Sequence, residues 1–463
     1  MQDLTPVVAA GHSATAEAGA EILADGGSAA DAAVAACLAS CVTETVMTGL
    51  LGGGHAIYFD APSGRTRNLD CFVAVPGLGA EPRETELLEL AVPFGAELVH
   101  YAVGIASCGV PGVPAGLAAL HDAHGRLPWN RLVEPALRLA RAGVEMPPAH
   151  AACLEMLAPV MTMHEGARIY SPGGALLRTG DRLEQPGLVP VLETFTEEGP
   201  QSAYTGTLAE RLLALMDERG GLVTPQDLDT YRAVWHEPVE VGYAHRRIFT
   251  RAGLSGIPVT LERLPTLAGL SERDRVLTLV DALAGGDRAG HTTNLVVVDA
   301  DGSACALTTS LGLGSGDFLP GLDLHLNSML GETDLLRGSL EPGERMDSMM
   351  APTLAFAHDG LELAIGAAGG TRLRTALVGV AAAILDERLG AVAAVERPRF
   401  HLAGSTVHAE PGVDEDALAE LERRGNEVRR WPGKHHYFGG VSLAGRAGSA
   451  ADSRRSGAVR SPD

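Results

Sequence analysis

Gly290-His291-Thr292-Thr293-Asn294-Leu295-Val296-Val297-Val298-Asp299 is the stretch on which the fold of this 463-residue chain turns. Asn294 to Asp299 is a β-rich run, and Ala304 to Ser310 (ACALTTS) is a second one. Asp301-Gly302 lies between them, so the pair reads as a hairpin. At its head stands a pair of threonines. A threonine hydroxyl is a weak nucleophile and needs a base. If the chain were cut between His291 and Thr292, the new α-amine of Thr292 could serve, because such an amine titrates near ~8. By pattern alone the plainer description is better: a loop entering a strand, with threonines placed for β propensity.

Thr353 to Ala357 and Leu361 to Ile365 flank His358-Asp359-Gly360 as a second hairpin. It leads into Gly369-Gly370 and a helical stretch, Thr371 to Leu385. Two glycines between a strand and a helix let backbone N–H groups approach a ligand where the helix dipole favours negative charge, the requirements of an oxyanion hole. A tight left-handed turn explains them equally well. The first part of the chain reads as helical and glycine-punctuated. Ala16, Gly19, Ile22 and Leu23 mark one helix, ending at Gly26-Gly27, and Ser28 with Asp31 forms a capping box for the next, Ala29 to Cys41. Gly52-Gly53-Gly54 precedes a strand at His55 to Phe59, and Thr224-Pro225 with Asp227 opens a later helix. Helices first, then hairpins, then a helix suggest helical layers around stacked antiparallel sheets.

Composition narrows the function classes. The net charge of −22 repels phosphate backbones and anionic membranes, and 4% aromatic residues leave few platforms for stacking bases. Nucleic acid and membrane are therefore not expected partners. Met1-Gln2-Asp3-Leu4-Thr5-Pro6 carries neither the basic nor the apolar part of a secretion signal, so a cytoplasmic location is expected of a chain that starts there. Six cysteines (Cys37, Cys41, Cys71, Cys108, Cys153, Cys305) show no CxxC pair and read as small buried hydrophobes; Cys37 and Cys41 share a helix face and could geometrically pair. Gly312-Leu313-Gly314-Ser315-Gly316 looks like a phosphate loop but opens no helix, and nucleotide binding is rejected there. His435-His436 has no further ligand at usable spacing, so no metal and no other cofactor is expected.

Taken together, these pieces resemble the γ-glutamyltranspeptidase family over nearly the whole chain. The residues that carry the resemblance are Gly26 to Ala35 (GGSAADAAVA), Gly52-Gly53-Gly54, Gly109-Val110-Pro111-Gly112 with Ala115-Gly116-Leu117, and Leu127-Pro128-Trp129. Leu222 to Pro238, the Thr292 to Asp299 stretch, Pro352-Thr353, Gly369-Gly370-Thr371-Arg372 and Pro398-Arg399-Phe400-His401 continue it in order. The resemblance implies an α+β fold, a four-layer αββα N-terminal-nucleophile hydrolase sandwich. It also implies self-cleavage into a segment 1–291 and a segment 292–463 that stay together as an intertwined heterodimer. The expected activity is that of an amide hydrolase or acyltransferase on γ-glutamyl compounds such as glutathione.

The same resemblance assigns roles by position. Thr292 takes the nucleophile's place, Thr308 and Ser310 are the hydroxyls on the neighbouring strand, and Gly369 and Gly370 supply the oxyanion hole. The substrate side departs from the family's pattern. Phe72 stands in Leu69-Asp70-Cys71-Phe72 where the family has a carboxylate-clamping arginine, and a phenyl ring cannot replace a bidentate charged pair. The family's serine pair becomes Ser348 and Met349, its strand asparagine becomes Gly312, and in the stretch where Asn327 is a candidate substrate-binding residue a polar residue becomes Met329. Glu332 matches an acidic partner for a substrate amine. These changes favour the same chemistry on a less polar acyl amide, as in cephalosporin-acylase-like relatives. An unprocessed, inactive ligand-binding homologue is the third reading, with Asn294 standing where the family often has histidine.

Overall fold

The computed structural model describes residues 4–81, 85, 87–94, 97–284, 292–332, 335–336, 340–370 and 372–462. Gly290, His291 and Thr371 lie outside the described residues, and with them one side of the expected cut.

In the two large sheets, the strands from the N-terminal half are β1 (Val7–Ala10), β2 (Gly53–Asp60), β3 (Arg65–Cys71), β4 (Val234–His236), β5 (Val239–Tyr243) and β6 (Arg246–Thr250). Those beyond Thr292 are β7 (Thr293–Val298), β8 (Ala304–Ser310), β9 (Thr353–Ala357), β10 (Gly360–Ala368), β11 (Gly440–Gly445), β12 (Gly448–Ala451) and β13 (Ala458–Arg460). They form two sheets. One runs β13-β1-β7-β8-β2-β3-β4 and the other β12-β11-β10-β9-β6-β5. Every neighbouring pair for which a register is defined within these two sheets is antiparallel. Both sheets take strands from before and after residue 292, so the two halves of the chain are interleaved.

Alternation along β7 places the layers. Val296 and Val298 join Ile57, Ala306, Leu354 and Ala364 in the core between the sheets. Leu295 and Val297 face the other way, into a core with α1 (Ser13–Ala24) and α2 (Ala29–Thr43). Each such buried aliphatic side chain contributes about 1.5–3 kcal/mol. Helix α2 is buried on all sides, which its alanine-rich sequence permits, and Ser28 and Asp31 cap it reciprocally. On the far side of the second sheet, the helices Glu272–Leu283 and Arg372–Leu385 pack over Ile365, Ala367 and Leu443. The order is helix, sheet, sheet, helix, the expected αββα sandwich.

The first part of the chain holds more strand than its pattern suggests. β3 (RTRNLDC) is polar enough to read as a loop, yet it pairs with β2 along seven residues. Tertiary partners stabilise it: Asn68 donates to the Thr250 carbonyl at 2.9 Å, and the Arg67 guanidinium lies over Trp235. All six cysteines are buried and unpaired, including Cys37 and Cys41.

A buried ionic network fixes the C-terminal part. Arg454 meets Glu410 at 2.5 Å with both side chains fully buried, and Asp452 accepts from Arg399 at 2.6 Å. Removing one member leaves an uncompensated buried charge. Arg454→Met is therefore expected to lower the unfolding free energy by about 3–5 kcal/mol, readable in urea melts. An unchanged midpoint would show that water compensates the carboxylates.

Candidate active site

Threonine 293 pairs with Thr309 and Asn294 with Thr308, so one step further along the ladder Thr292 stands opposite Ser310. Because facing residues share a side of the sheet, Thr292, Asn294, Thr308 and Ser310 point to the inter-sheet side, and Thr293 and Thr309 to the helix layer. The outward pair is anchored there: Thr309 Oγ lies 2.7 Å from Thr48 Oγ, and Thr293 Oγ donates to Glu44 at 2.5 Å. Thr292 is 3% exposed and Ser310 1%. Ser310 Oγ accepts from the Gly312 N–H at 2.9 Å. Thr308, beneath Ser310, lies deeper, opposite Asn294 on one side and His55 on the other.

Across from Thr292, β10 ends at Ala368 and the helix Arg372–Leu385 begins, with Gly369 (φ +129°) and Gly370 (φ +61°) between them. Both glycines occupy positive-φ conformations that side chains resist. A Cβ on Gly369 would lie 2.7 Å from Gly439 Cα, so this turn also packs backbone against backbone. The two glycines thus lie where a long helix presents its N-terminal N–H groups.

Thr292, Ser310 and Gly370 line one cavity with Phe72, Met329, Glu332, Leu335, Ser348, Met349, Met350 and Leu373. Phe72, Met329, Leu335, Met349 and Met350 form a single apolar cluster. The Phe72 backbone is clamped: its N–H donates to Asp70 at 2.9 Å, and its carbonyl accepts from Tyr231 Oη at 2.6 Å and Arg345 at 2.5 Å. Its ring stacks on His55. Arg345 also donates to the Arg232 carbonyl and pairs with Asp70, so its guanidinium is engaged away from the cavity. Among the described lining residues there is no cation.

The remaining substrate-side candidates divide. Ser348 and Met349 line the cavity, with Ser348 Oγ accepting from the Met350 N–H at 3.2 Å. Glu332 lines it at 2% exposure, and a Cβ on Gly312 would sit 2.6 Å from its Oε1. Glu332 occupies the room that a side chain at 312 would need. Asn327 does not reach the cavity; its amide donates to the carbonyls of Leu51 and Gly109 and accepts from the Gly109 N–H, which ties three segments together.

Sequence reasoning missed a second cavity. It is lined by Thr292, Thr293, Asn294, Glu44, Asp452 and Arg455, among others. Burial pushes the Glu44 carboxyl up to about 7, opposed by hydrogen bonds from Thr293 and Thr15 and by the charge of Arg455. Glu44 lies 249 residues from Thr293 in sequence, and no local pattern connects them. The rejected glycine loop is a compact turn: Gly312, Gly314 and Gly316 all have positive φ, and His325 fills the space above Gly314. His435 caps a short 3₁₀ turn by accepting from the Tyr437 N–H. Among the described residues, no three His, Cys, Asp or Glu side chains are placed to hold a metal, and no helix is long and apolar enough to cross a membrane.

Two antiparallel sheets between helical layers, with a buried threonine at the head of a central strand, define the N-terminal-nucleophile hydrolase fold. A cephalosporin acylase from Bacillus halodurans superposes with a TM-score of 0.84, at 22% identity, over 100% of this chain and 96% of that one. The chain belongs to the gamma-glutamyltranspeptidase family, whose model matches residues 15–284 and 272–461. It is 33% identical to the glutathione hydrolase proenzyme of Escherichia coli (strain K12) over 248 residues, which are 53% of this chain and 41% of that one. A similar match to glutathione hydrolase 3 of Arabidopsis thaliana spans 34% of that protein, so the aligned stretch is a third to two fifths of these relatives. The acylase ACY 1 proenzyme of Pseudomonas sp. (strain V22) is 27% identical over 92% of this chain and 88% of its own.

Proposed function

We propose that this chain is a self-processing threonine amide hydrolase or acyltransferase that acts on γ-glutamyl compounds of the glutathione type. The observation that carries the reading is the convergence of Thr292, Ser310 and Gly370 on one cavity. Cleavage after His291 frees the α-amine of Thr292, and segments 1–291 and 292–463 stay together because their strands alternate within both sheets. The α-amine takes the proton of its own hydroxyl, and Oγ attacks the amide carbonyl. The N–H groups of Gly369 and Gly370 stabilise the oxyanion, and Ser310 orients the nucleophile. The acyl-enzyme passes to water or to an amine. Glu332 meets a substrate ammonium, with Ser348 beside it. Six unpaired cysteines accord with a reducing, cytoplasmic setting.

A second reading, a less polar acyl group, is favoured by Phe72, Met329 and Met349 on the cavity wall. A γ-glutamyl α-carboxylate buried there would find no cation among the described lining residues, at a cost of several kcal/mol. The relatives' names support both readings, since they include glutathione hydrolases and an acylase. The test is hydrolysis of a γ-glutamyl anilide beside its butyryl analogue, with intact mass confirming the cut. Faster turnover of the γ-glutamyl compound supports the first reading, and faster turnover of the butyryl compound the second. Turnover of neither by a cleaved chain would sink both. Phe72→Arg is expected to shift the ratio of kcat/KM toward the γ-glutamyl anilide by about ten- to a hundredfold, the worth of one charge-assisted pair.

A further inference from the structure

Thr292 borders two cavities, and the second holds a carboxylate with no part in the chemistry above. Glu44 ends α2 and is 1% exposed. Its Oε2 accepts from Thr293 Oγ at 2.5 Å and its Oε1 from Thr15 Oγ at 2.8 Å; Thr15 Oγ is in turn 2.7 Å from Thr43 Oγ. The backbone at Gly11 packs directly on this carboxylate, where a Cβ would come within 2.4 Å of Oε2. From the C-terminal side, Arg455 enters the same cavity, itself 5% exposed, with its Nη1 on Met47 Sδ at 3.4 Å. Arg455 Nε and Asn294 Nδ2 are buried without a hydrogen-bond partner.

We propose that Glu44 is the positioning residue of the nucleophile: it pins the head of β7 through Thr293, and it is the counter-charge of the freed Thr292 ammonium across the second cavity. The inference rests on the proposed function and adds a group that touches neither substrate nor oxyanion. Pinning follows from geometry. Adjacent strand residues face opposite ways, so fixing the Thr293 side chain toward the helix layer fixes Thr292 toward the acyl cavity. The counter-charge follows from the surroundings. Arg455 and Asp452 are the charged groups facing Glu44 from the C-terminal segment. On the helical side, burial keeps His150 and His12 toward their neutral forms, and the Cys37 contact together with burial does the same for Cys41. The buried acid and the freed amine thus border one cavity, where each charge shifts the other's titration.

The two roles separate experimentally. Glu44→Gln keeps an acceptor for Thr293 and removes the charge. It is expected to self-cleave, but the rising limb of kcat/KM against pH should move to lower pH by about one unit, as the amine loses its counter-ion. Thr293→Val keeps the charge and breaks the contact, and should slow self-cleavage, followed by intact mass, at least tenfold. Thermal melting checks folding of each. If Glu44→Gln does not fold, Glu44→Asp, whose shorter side chain draws the charge back, should move the limb the same way by a smaller amount. A limb that stays in place in the folded Glu44 variant, or a Thr293→Val chain cut at the wild-type rate, overturns the inference while leaving the proposed function intact. A wild-type chain that is never cut overturns both.

Discussion

Thr292→Ala is expected to run as a single uncut chain under conditions in which the wild type separates, after denaturation, into fragments 1–291 and 292–463. The variant should fold normally. Thr292 contributes one hydroxyl and one methyl at the head of a strand whose core contacts are made by Leu295, Val296, Val297 and Val298. Losing those atoms costs about 1 kcal/mol or less of stability. The chemical effect is of another order. The same Oγ would break the chain and attack substrate, so its removal abolishes both steps, and amide hydrolysis should fall by about 10⁴-fold or more. Thr292→Ser separates chemistry from shape: it keeps a hydroxyl and should still cut, more slowly. If Thr292→Ala is cut like the wild type, the nucleophile lies elsewhere. If the wild type stays whole while binding a γ-glutamyl or acyl compound, the inactive-homologue reading moves forward.

Gly369→Ala should be the next most damaging single substitution at the site, for two independent reasons. Its φ of +129° lies outside the range that an alanine adopts without strain, and its Cβ would come within 2.7 Å of Gly439 Cα, a backbone atom that cannot swing aside. Relief requires β10 and the segment before β11 to part, and a loss of about 2–4 kcal/mol is expected in denaturant melts. The displacement also moves the N–H groups at the head of the helix Arg372–Leu385. Loss of one oxyanion donor costs about 10²–10³ in kcat, so kcat should fall by that factor with KM changed little. Gly370→Ala, at a φ of +61° inside the small left-handed region that alanine can enter, should be milder in stability and comparable in kcat. Equal KM and kcat for Gly369→Ala would remove this turn from the catalytic site.

Much of the fold was legible because it is written locally. The capping box at Ser28 and Asp31, the hairpin at Asp301-Gly302 and the alternation in Leu295 to Val298 each depend on neighbours a few residues apart. Thr292, Ser310, Gly369 and Gly370 also lie at strand ends and a strand–helix turn, but by pattern alone a plain loop and a tight turn explained them as well, and the family resemblance singled them out. β3 escaped because the tertiary partners of Asn68 and Arg67, the Thr250 carbonyl and the Trp235 ring, lie some 170–180 residues away. Asn327 looked like a ligand-reading amide. Its hydrogen bonds to Leu51 and Gly109, invisible in sequence, commit it to holding segments together.

Periodicity and turn chemistry, which act over a few positions, gave helical layers around stacked antiparallel sheets; the resemblance to the γ-glutamyltranspeptidase family added the αββα order, the candidate nucleophile at the head of its strand and Phe72 in an arginine's place. Tertiary structure alone decided what surrounds Thr292. It closed an apolar wall of Phe72, Met329 and Met349 on one side and brought Glu44 and Arg455 to the other. The reason is physical: burial and electrostatic coupling depend on distance in space, and the groups that set them here are separated by tens to hundreds of residues along the chain.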